Sequence, residues 1–413
     1  MPPEQHSFRQ RTRFIIKLGR ALHECGSTSE RIERHLENVT EMLGLHGNFL
    51  VSPTTFTCAF WEEDELDQFV HIERVEPGDY NLGRLWEINN LVDHIELGKV
   101  NFDDGLEKLK AINVSPPNYS LPIDTASWFL TGGCFSILVS TNPYNAIVSA
   151  IISVLIFFTV RQVSSTPRWR PVAIILGALT AGFLASLTAS VGFPTNTALI
   201  ALSSIIIFIP GFALNVALSE ISAGHLISGC SRLVDALMVF LKLFFGAASG
   251  MALAHFFFNS VPPIFPSIEP LPDISSWLTW PALFGLALAL GIALNIPFHK
   301  VGWAILALTI SFSFATLGGN YFGSFAGIFL GALATGIFAN LFSKITRGPS
   351  SVIITCGIIV LVPGSNIFSM LNQWVSGESI LPGESGSAAL MIFITLTAGI
   401  LFANALLPPQ KSL

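Results

Sequence analysis

The sequence predicts an α-helical polytopic membrane protein with two inverted five-helix repeats, plus a small N-terminal α+β cytoplasmic domain. Three observations carry this. Of 413 residues, 51% are hydrophobic and only 12% charged, with a mean hydropathy of +0.62. An ordinary soluble domain has about a quarter charged residues. The charge is also uneven, since only six of 27 acids and nine of 21 Lys and Arg lie after residue 125. A polar segment thus precedes a long apolar one, which excludes a wholly soluble enzyme. The third observation is an internal repeat within the apolar part. The expected units are residues 1–120, 121–260 and 278–407.

The polar segment reads as a compact α+β domain. Phe14, Leu18, Leu22 and Cys25 recur at helical spacing, and so do Ile32, Leu36, Val39 and Leu43 after a break at Gly26-Ser27-Thr28-Ser29. Ser27 or Ser29 is expected to cap the second helix. From Asn48 to Trp61 the residues are β-type, with Phe56, Cys58 and Phe60 alternating against polar and small neighbours. Gln68 to Val75 is a second strand candidate. Leu82, Leu85, Ile88, Leu91, Val92 and Ile95 form a further helical stripe, and a short helix follows Asn101-Phe102-Asp103. Arg9, Arg11, Arg13, Lys17 and Arg20 form a solvated face or one that touches anionic lipid. The five cysteines are scattered, with no C-x-x-C spacing, so neither a disulfide framework nor a metal site is expected. The opening MPPEQHSFRQRTRF lacks an apolar stretch, so no signal peptide is expected.

A spanning helix needs about 20 apolar residues. Ten candidates follow: 126–141, 145–161, 171–190, 197–217 and 232–258, then 278–294, 299–317, 322–343, 350–371 and 385–407. With the N-terminal domain inside, the inside connections are 161–170, 218–232, 295–300, 344–349 and the tail after 408. They hold eight of the nine basic residues, and the outside connections hold none. That is the positive-inside pattern. Trp277, Trp280, Trp303 and Trp374 fit interfacial anchoring, and Gly177-x-x-x-Ala181 and Gly323-x-x-x-Gly327 fit close helix packing.

The repeat aligns Gly177-Ala-Leu-Thr-Ala-Gly-Phe-Leu-Ala-Ser-Leu187 with Gly331-Ala-Leu-Ala-Thr-Gly-Ile-Phe-Ala-Asn-Leu341. Further on, Ile205-Ile-Ile-Phe-Ile-Pro-Gly211 aligns with Ile358-Ile-Val-Leu-Val-Pro-Gly364. Five spans per half is an odd number, so the second half enters from the opposite side. Many secondary transporters share this inverted layout, with substrate near the midplane at interrupted helices. Pro210-Gly211 and Pro363-Gly364 are the candidate interruptions, because proline and glycine free backbone groups to face a ligand.

These residues resemble the threonine/serine exporter family. The resemblance covers about residues 12–407. It rests on Arg31-Ile32-Glu33 after the Gly26–Ser29 turn, Val51-Ser52-Pro53-Thr54-Thr55-Phe56, and Gly224-x-x-x-Ser228-Gly229-x-x-Arg232-Leu233. In the second half it rests on Gly331-Ala332-Leu333, Ala339-Asn340-Leu341 and Val362-Pro363-Gly364. The family implies export of L-threonine and L-serine by proton antiport, with the two halves of split relatives fused in one chain. Split members also imply dicarboxylate (succinate) export as the alternative. The partners so implied are a small-molecule substrate and protons, in contact with membrane lipid. No cofactor, metal or nucleic acid is expected, and a homo-oligomer is left open.

Other chemistry finds little support. There is no G-x-x-x-x-G-K-[ST] loop, no H-E-x-x-H and no G-x-S-x-G, so an ATP pump or an intramembrane hydrolase is not indicated. A channel or a sensor remains a rival. The candidate substrate-binding residues are Pro210, Gly211, Asn215, Lys242, Pro363, Gly364, Ser365 and Asn366. Asn215 and Asn366 follow the breaks and suit either a substrate carboxylate or ammonium, or bonds between helices. Lys242 lies ten residues beyond Arg232, about 15 Å deep, where a lipid-facing charge costs at least roughly 2.5–3.5 kcal/mol. It is expected to face a cavity, with Asp235 pairing to Arg232 or reaching Lys242 through water. His225 and Arg232 suit an inner gate or a topology anchor. His255, near the outer end, suits a proton acceptor or an interfacial position.

Overall fold

In the computed structural model, residues 7–62, 67–76, 78, 81–97, 99–100, 102–115, 118–139, 142–191, 195–258, 276–346, 348, 350–358, 361 and 382–408 are described. The chain opens with α1 (Phe8–Glu24) and α2 (Ser29–Met42). Ser7 and Gln10 cap α1 reciprocally, with Ser7 N–H donating to Gln10 Oε1 at 3.0 Å. The stripe Phe14, Leu18, Leu22 is fully buried, and so is Ile32, Leu36, Val39. Gly26 ends α1 at φ 76°, a left-handed conformation that glycine adopts without strain. The N-cap of α2 is Thr28, not Ser27 or Ser29, and its own side chain makes no capping bond.

The β-type run from Asn48 divides into two strands. These are β1 (His46–Ser52) and β2 (Thr55–Trp61), joined across Pro53-Thr54, and β3 (Phe69–Arg74) follows. All pair antiparallel in the order β1-β2-β3, with Ser52 opposite Thr55 and Phe60 opposite Phe69. Phe56, Cys58 and Phe60 are completely buried on one face, as their alternation requires. Then come α3 (Leu82–Glu96) and α4 (Phe102–Val114). The basic helix face is partly internal, because Arg11 donates to Leu43 O and Gly44 O and pairs with Glu62.

The apolar part contains α5 (Leu121–Val139), α6 (Pro143–Ser164), α7 (Ala173–Ser190), α8 (Thr197–Ile205), α9 (Gly211–Ser222) and α10 (Leu226–Phe258). It continues with α11 (Ser276–Ala293), α12 (Phe298–Phe322), α13 (Ser324–Thr346), α14 (Ser350–Ile358) and α15 (Pro382–Leu406). Among the described residues, five segments are long and apolar enough to cross a membrane: 143–164, 170–190, 226–258, 298–322 and 324–346. The other expected spans correspond to α5, the pair α8–α9, α11, α14 and α15. Leu361 apart, the part of span 350–371 beyond Ile358 lies outside the described residues.

Packing runs in the same order in both groups. Helix α7 packs on α6, α8 and α10, and α13 packs on α12, α14 and α15; α6 meets α5 and α8, and α12 meets α11 and α14. Glycines at matched positions have matched neighbours. Gly177 faces Ile156 and Val160 of α6, and Gly331 faces Ser311 and Ala315 of α12; Gly182 lies against Ala247 of α10, and Gly336 against Ala403 of α15. A Cβ at Gly182 would stand 2.1 Å from the Ala247 carbonyl oxygen, so the backbones touch where the side chain is missing. Helices α5 and α11 join the two groups, and α9 touches α15.

One detail departs from expectation. Gly323 is not a packing glycine; it caps α12 at φ 91° and turns the chain into α13, while Gly327 packs on Ala315 and Gly319. Trp303 is partly buried and packs edge-on against Phe342 at 5.0 Å, beside the core that α3 shares with α12 and α13.

Candidate functional site

The site grows from a broken helix. Helix α8 stops at Ile205, a 3-10 turn spans Ile206–Phe208, and Ile209 is extended before α9 starts at Gly211. Pro210 accounts for the position. Its ring clashes with the carbonyl four residues back, at Ile206, and it cannot donate to the ladder. Phe208 packs on Trp128 of α5 with rings 5.3 Å apart. Past the break, Leu214 of α9, Ala236 and Phe240 of α10 and Phe393 of α15 form one small buried cluster. The two helical groups therefore meet just beyond the interruption.

Helix α9 ends in the turn that leads to α10. Gly224 has φ 91° there. Gly229 lets α10 approach α9, since a Cβ would lie 2.8 Å from Ala217 O. Ser228 and Arg232, one turn apart on α10, both reach Glu220 of α9. Ser228 Oγ donates to Glu220 Oε2 at 2.8 Å, and Arg232 Nε lies 3.1 Å from the same oxygen. Glu220 is only 2% exposed. Its other oxygen accepts the Ser29 backbone N–H at 2.9 Å, at the first turn of α2. The bond missing from Thr28 is thus supplied by a carboxylate from the apolar part, which also suits the positive end of the helix dipole.

The cluster extends further into the N-terminal segment. Ser29 Oγ is 2.6 Å from Ser228 Oγ; the Ser228 proton is committed to Glu220, so Ser29 is the donor. Arg232 Nη2 donates to Ser27 O at 3.1 Å. His225 Nδ1 lies 3.4 Å from Glu33 Oε2, and Glu33 Oε1 accepts the Val51 N–H at 2.7 Å. Burial pushes the Glu33 carboxyl above its usual range, while the Val51 bond and His225 pull it back.

The other sequence-predicted residues lie apart from this cluster. Asn215 is in α9, one turn past the break, with its side chain outside the described residues. Lys242 is half-buried in α10, between exposed Leu241 and buried Leu243. Asp235 is exposed. The expected Asp235–Arg232 pair does not form, because Arg232 neutralises the buried Glu220 instead. His255 is exposed in the last turn of α10. Pro363, Gly364, Ser365 and Asn366 lie outside the described residues. Among the described residues, no group of three or more His, Cys, Asp or Glu is placed to hold a metal ion.

Comparison with known proteins fits this layout. A family model described as a threonine/serine exporter matches residues 13–254, and a second, Threonine/Serine exporter, ThrE, matches residues 282–406. The chain belongs to the threonine/serine exporter family. Among curated relatives, pheromone-regulated membrane protein 10 of Saccharomyces cerevisiae is 24% identical, over 96% of this chain and 54% of its own length. The Candida glabrata protein of the same name is 23% identical, over 92% and 49%. An uncharacterized protein of Schizosaccharomyces pombe is 22% identical, over 86% and 47%. The chain thus spans about half the length of these relatives. No solved structure matches.

For this exporter-family chain, Glu220 is the residue that sequence reasoning missed. The available signal was its isolation. Glu220 and Asp235 are the only acids between residues 126 and 258, and an ionisable residue beside apolar spans is costly unless it has a partner.

Proposed function

We propose that the chain is a secondary active exporter of small amino acids, L-threonine and L-serine, working as a proton antiporter. It does so as a multi-pass protein of the plasma (inner) membrane, with its N-terminal domain (1–120) and C-terminus cytoplasmic. The carrying observation is a helix interrupted at Pro210-Gly211 where the two helical groups of an exporter-family chain meet. Backbone groups freed there, with Asn215 and Lys242, bind the amino-acid substrate; Pro363, Gly364, Ser365 and Asn366 supply the matching half. The matched packing of α5–α10 and α11–α15 supports inverted repeats at 121–260 and 278–407, the usual frame for alternating access. Glu220, Ser228, Arg232, Asn295, Ile296, Lys300 and Phe342 all contact the N-terminal segment. These contacts support one common side for the basic connections. His225 and Arg232 act as the inner gate, whereas Asp235 and His255 are the remaining candidates for proton coupling.

Counterflow in proteoliposomes tests this. Labelled threonine and serine should exchange saturably and accumulate against a gradient when a pH difference is imposed. Flux of succinate alone would assign the dicarboxylate alternative. Non-saturating currents would make the protein a channel, and no flux of any of the three would contradict the proposal.

A further inference from the structure

The N-terminal segment touches both helical groups, and the two contacts differ in kind. Its contact with the second group is mainly apolar and close. Leu82 N–H donates to Leu294 O at 3.1 Å, and Asn118 Nδ2 to Asn295 O at 2.9 Å. Gly83 lies so near Asn295 that a Cβ would stand 2.2 Å from its carbonyl oxygen. Trp86 packs on Phe342 at 5.7 Å, with Lys300 Nζ 4.6 Å from its ring centroid. Leu85, Trp86 and Ile88 share one continuous core with Val301, Ala304 and Phe342. Separating these surfaces would expose a packed apolar interior to water, at a cost that grows with area.

The contact with the first group is built of hydrogen bonds and charges: Ser27, Ser29 and Glu33 on one side, and Glu220, His225, Ser228 and Arg232 on the other. Such a cluster is specific when closed, because each buried group needs its partner. It also opens at small net cost, since hydration replaces what a buried ion pair gains. The carboxylate at its centre is carried by α9, ten residues or about 15 Å from the Pro210 break. A tilt of α9 at the break therefore moves Glu220 relative to Ser29.

We infer that the N-terminal domain is the inner gate itself: it rides with the second helical group and latches onto the first through Glu220, closing the path from the cytoplasm when the latch is made. This rests on the transport reading above and adds to it the moving element and the residue that holds it.

A disulfide tests the latch in the full-length chain. Ser29→Cys and Ser228→Cys, with Cys25 and Cys230 replaced by Ala, place two sulfurs where the two hydroxyl oxygens are 2.6 Å apart. Oxidation should cross-link the pair in membranes, and threonine and serine flux should fall to background and return on reduction. Cross-linked protein that transports at the rate of its reduced form would overturn the gate and leave a static docking surface. Failure of the folded pair to cross-link would overturn it as well. A second arm needs no substrate. Adding Glu220→Gln should slow cross-linking by about tenfold, the effect of roughly 1.4 kcal/mol lost from a charged pair. An unchanged rate would overturn the role of Glu220. Wild-type flux, measured alongside, tests the transport reading separately.

Discussion

Arg232 and Lys242 lie on the same helix, ten residues apart, and have opposite surroundings. Arg232 is held by Glu220 and the Ser27 carbonyl. Lys242 is half-buried, between exposed Leu241 and buried Leu243, with no hydrogen bond or ion pair among the described residues. A charge about 15 Å past the Arg232 anchor needs water or a ligand, which is why a substrate carboxylate suits it. Lys242→Met keeps length and apolarity. It should insert normally, yet lose most threonine flux or the pH dependence of that flux in vesicles. Wild-type rate with a wild-type pH profile would make Lys242 structural. The spacing of Lys242 from Arg232 along α10 follows from helical rise alone. The partner of Arg232 was not legible, because spacing on one helix reveals only neighbours three or four residues away. Glu220 is twelve residues upstream, brought alongside by the turn at Gly224.

At the scale of elements, the helical stripes were the most legible part. Every apolar position assigned to the stripe from Leu82 to Ile95 is buried, because amphipathic periodicity is a direct consequence of burying one face. The turn at Pro53-Thr54 was missed because both flanking runs are β-type, so nothing in their alternation marks the reversal. The helix break was legible as to cause but not extent. Proline removes its own donor, and the clash with the carbonyl four residues back ends α8 at Ile205, five residues before Pro210. Replacing Pro210-Gly211 and Pro363-Gly364 by Ala-Ala should restore a continuous helix across the Pro210 break. Insertion should be intact and transport abolished, read as flux per inserted protein. Flux at wild-type level would reduce both motifs to ordinary kinks.

The whole molecule combines two apolar groups packed in the same order with an N-terminal segment that touches both. The matched glycines were visible in the sequence because a missing side chain marks close packing: Gly177 and Gly331, then Gly182 and Gly336, each face a neighbouring helix. The joining of the segment to both groups was not visible, since it depends on surfaces that meet only after folding. Whether the two groups are inverted is the claim on which alternating access depends. Impermeant thiol labelling of single cysteines, in a Cys230→Ala background, tests it most directly. Cysteines placed at 268 and 380 should react from outside the cell, and cysteines at 165 and 346 should react only after the membrane is opened. Labelling of 165 and 268 from the same side would contradict the inverted repeat, and with it the transport account built upon it.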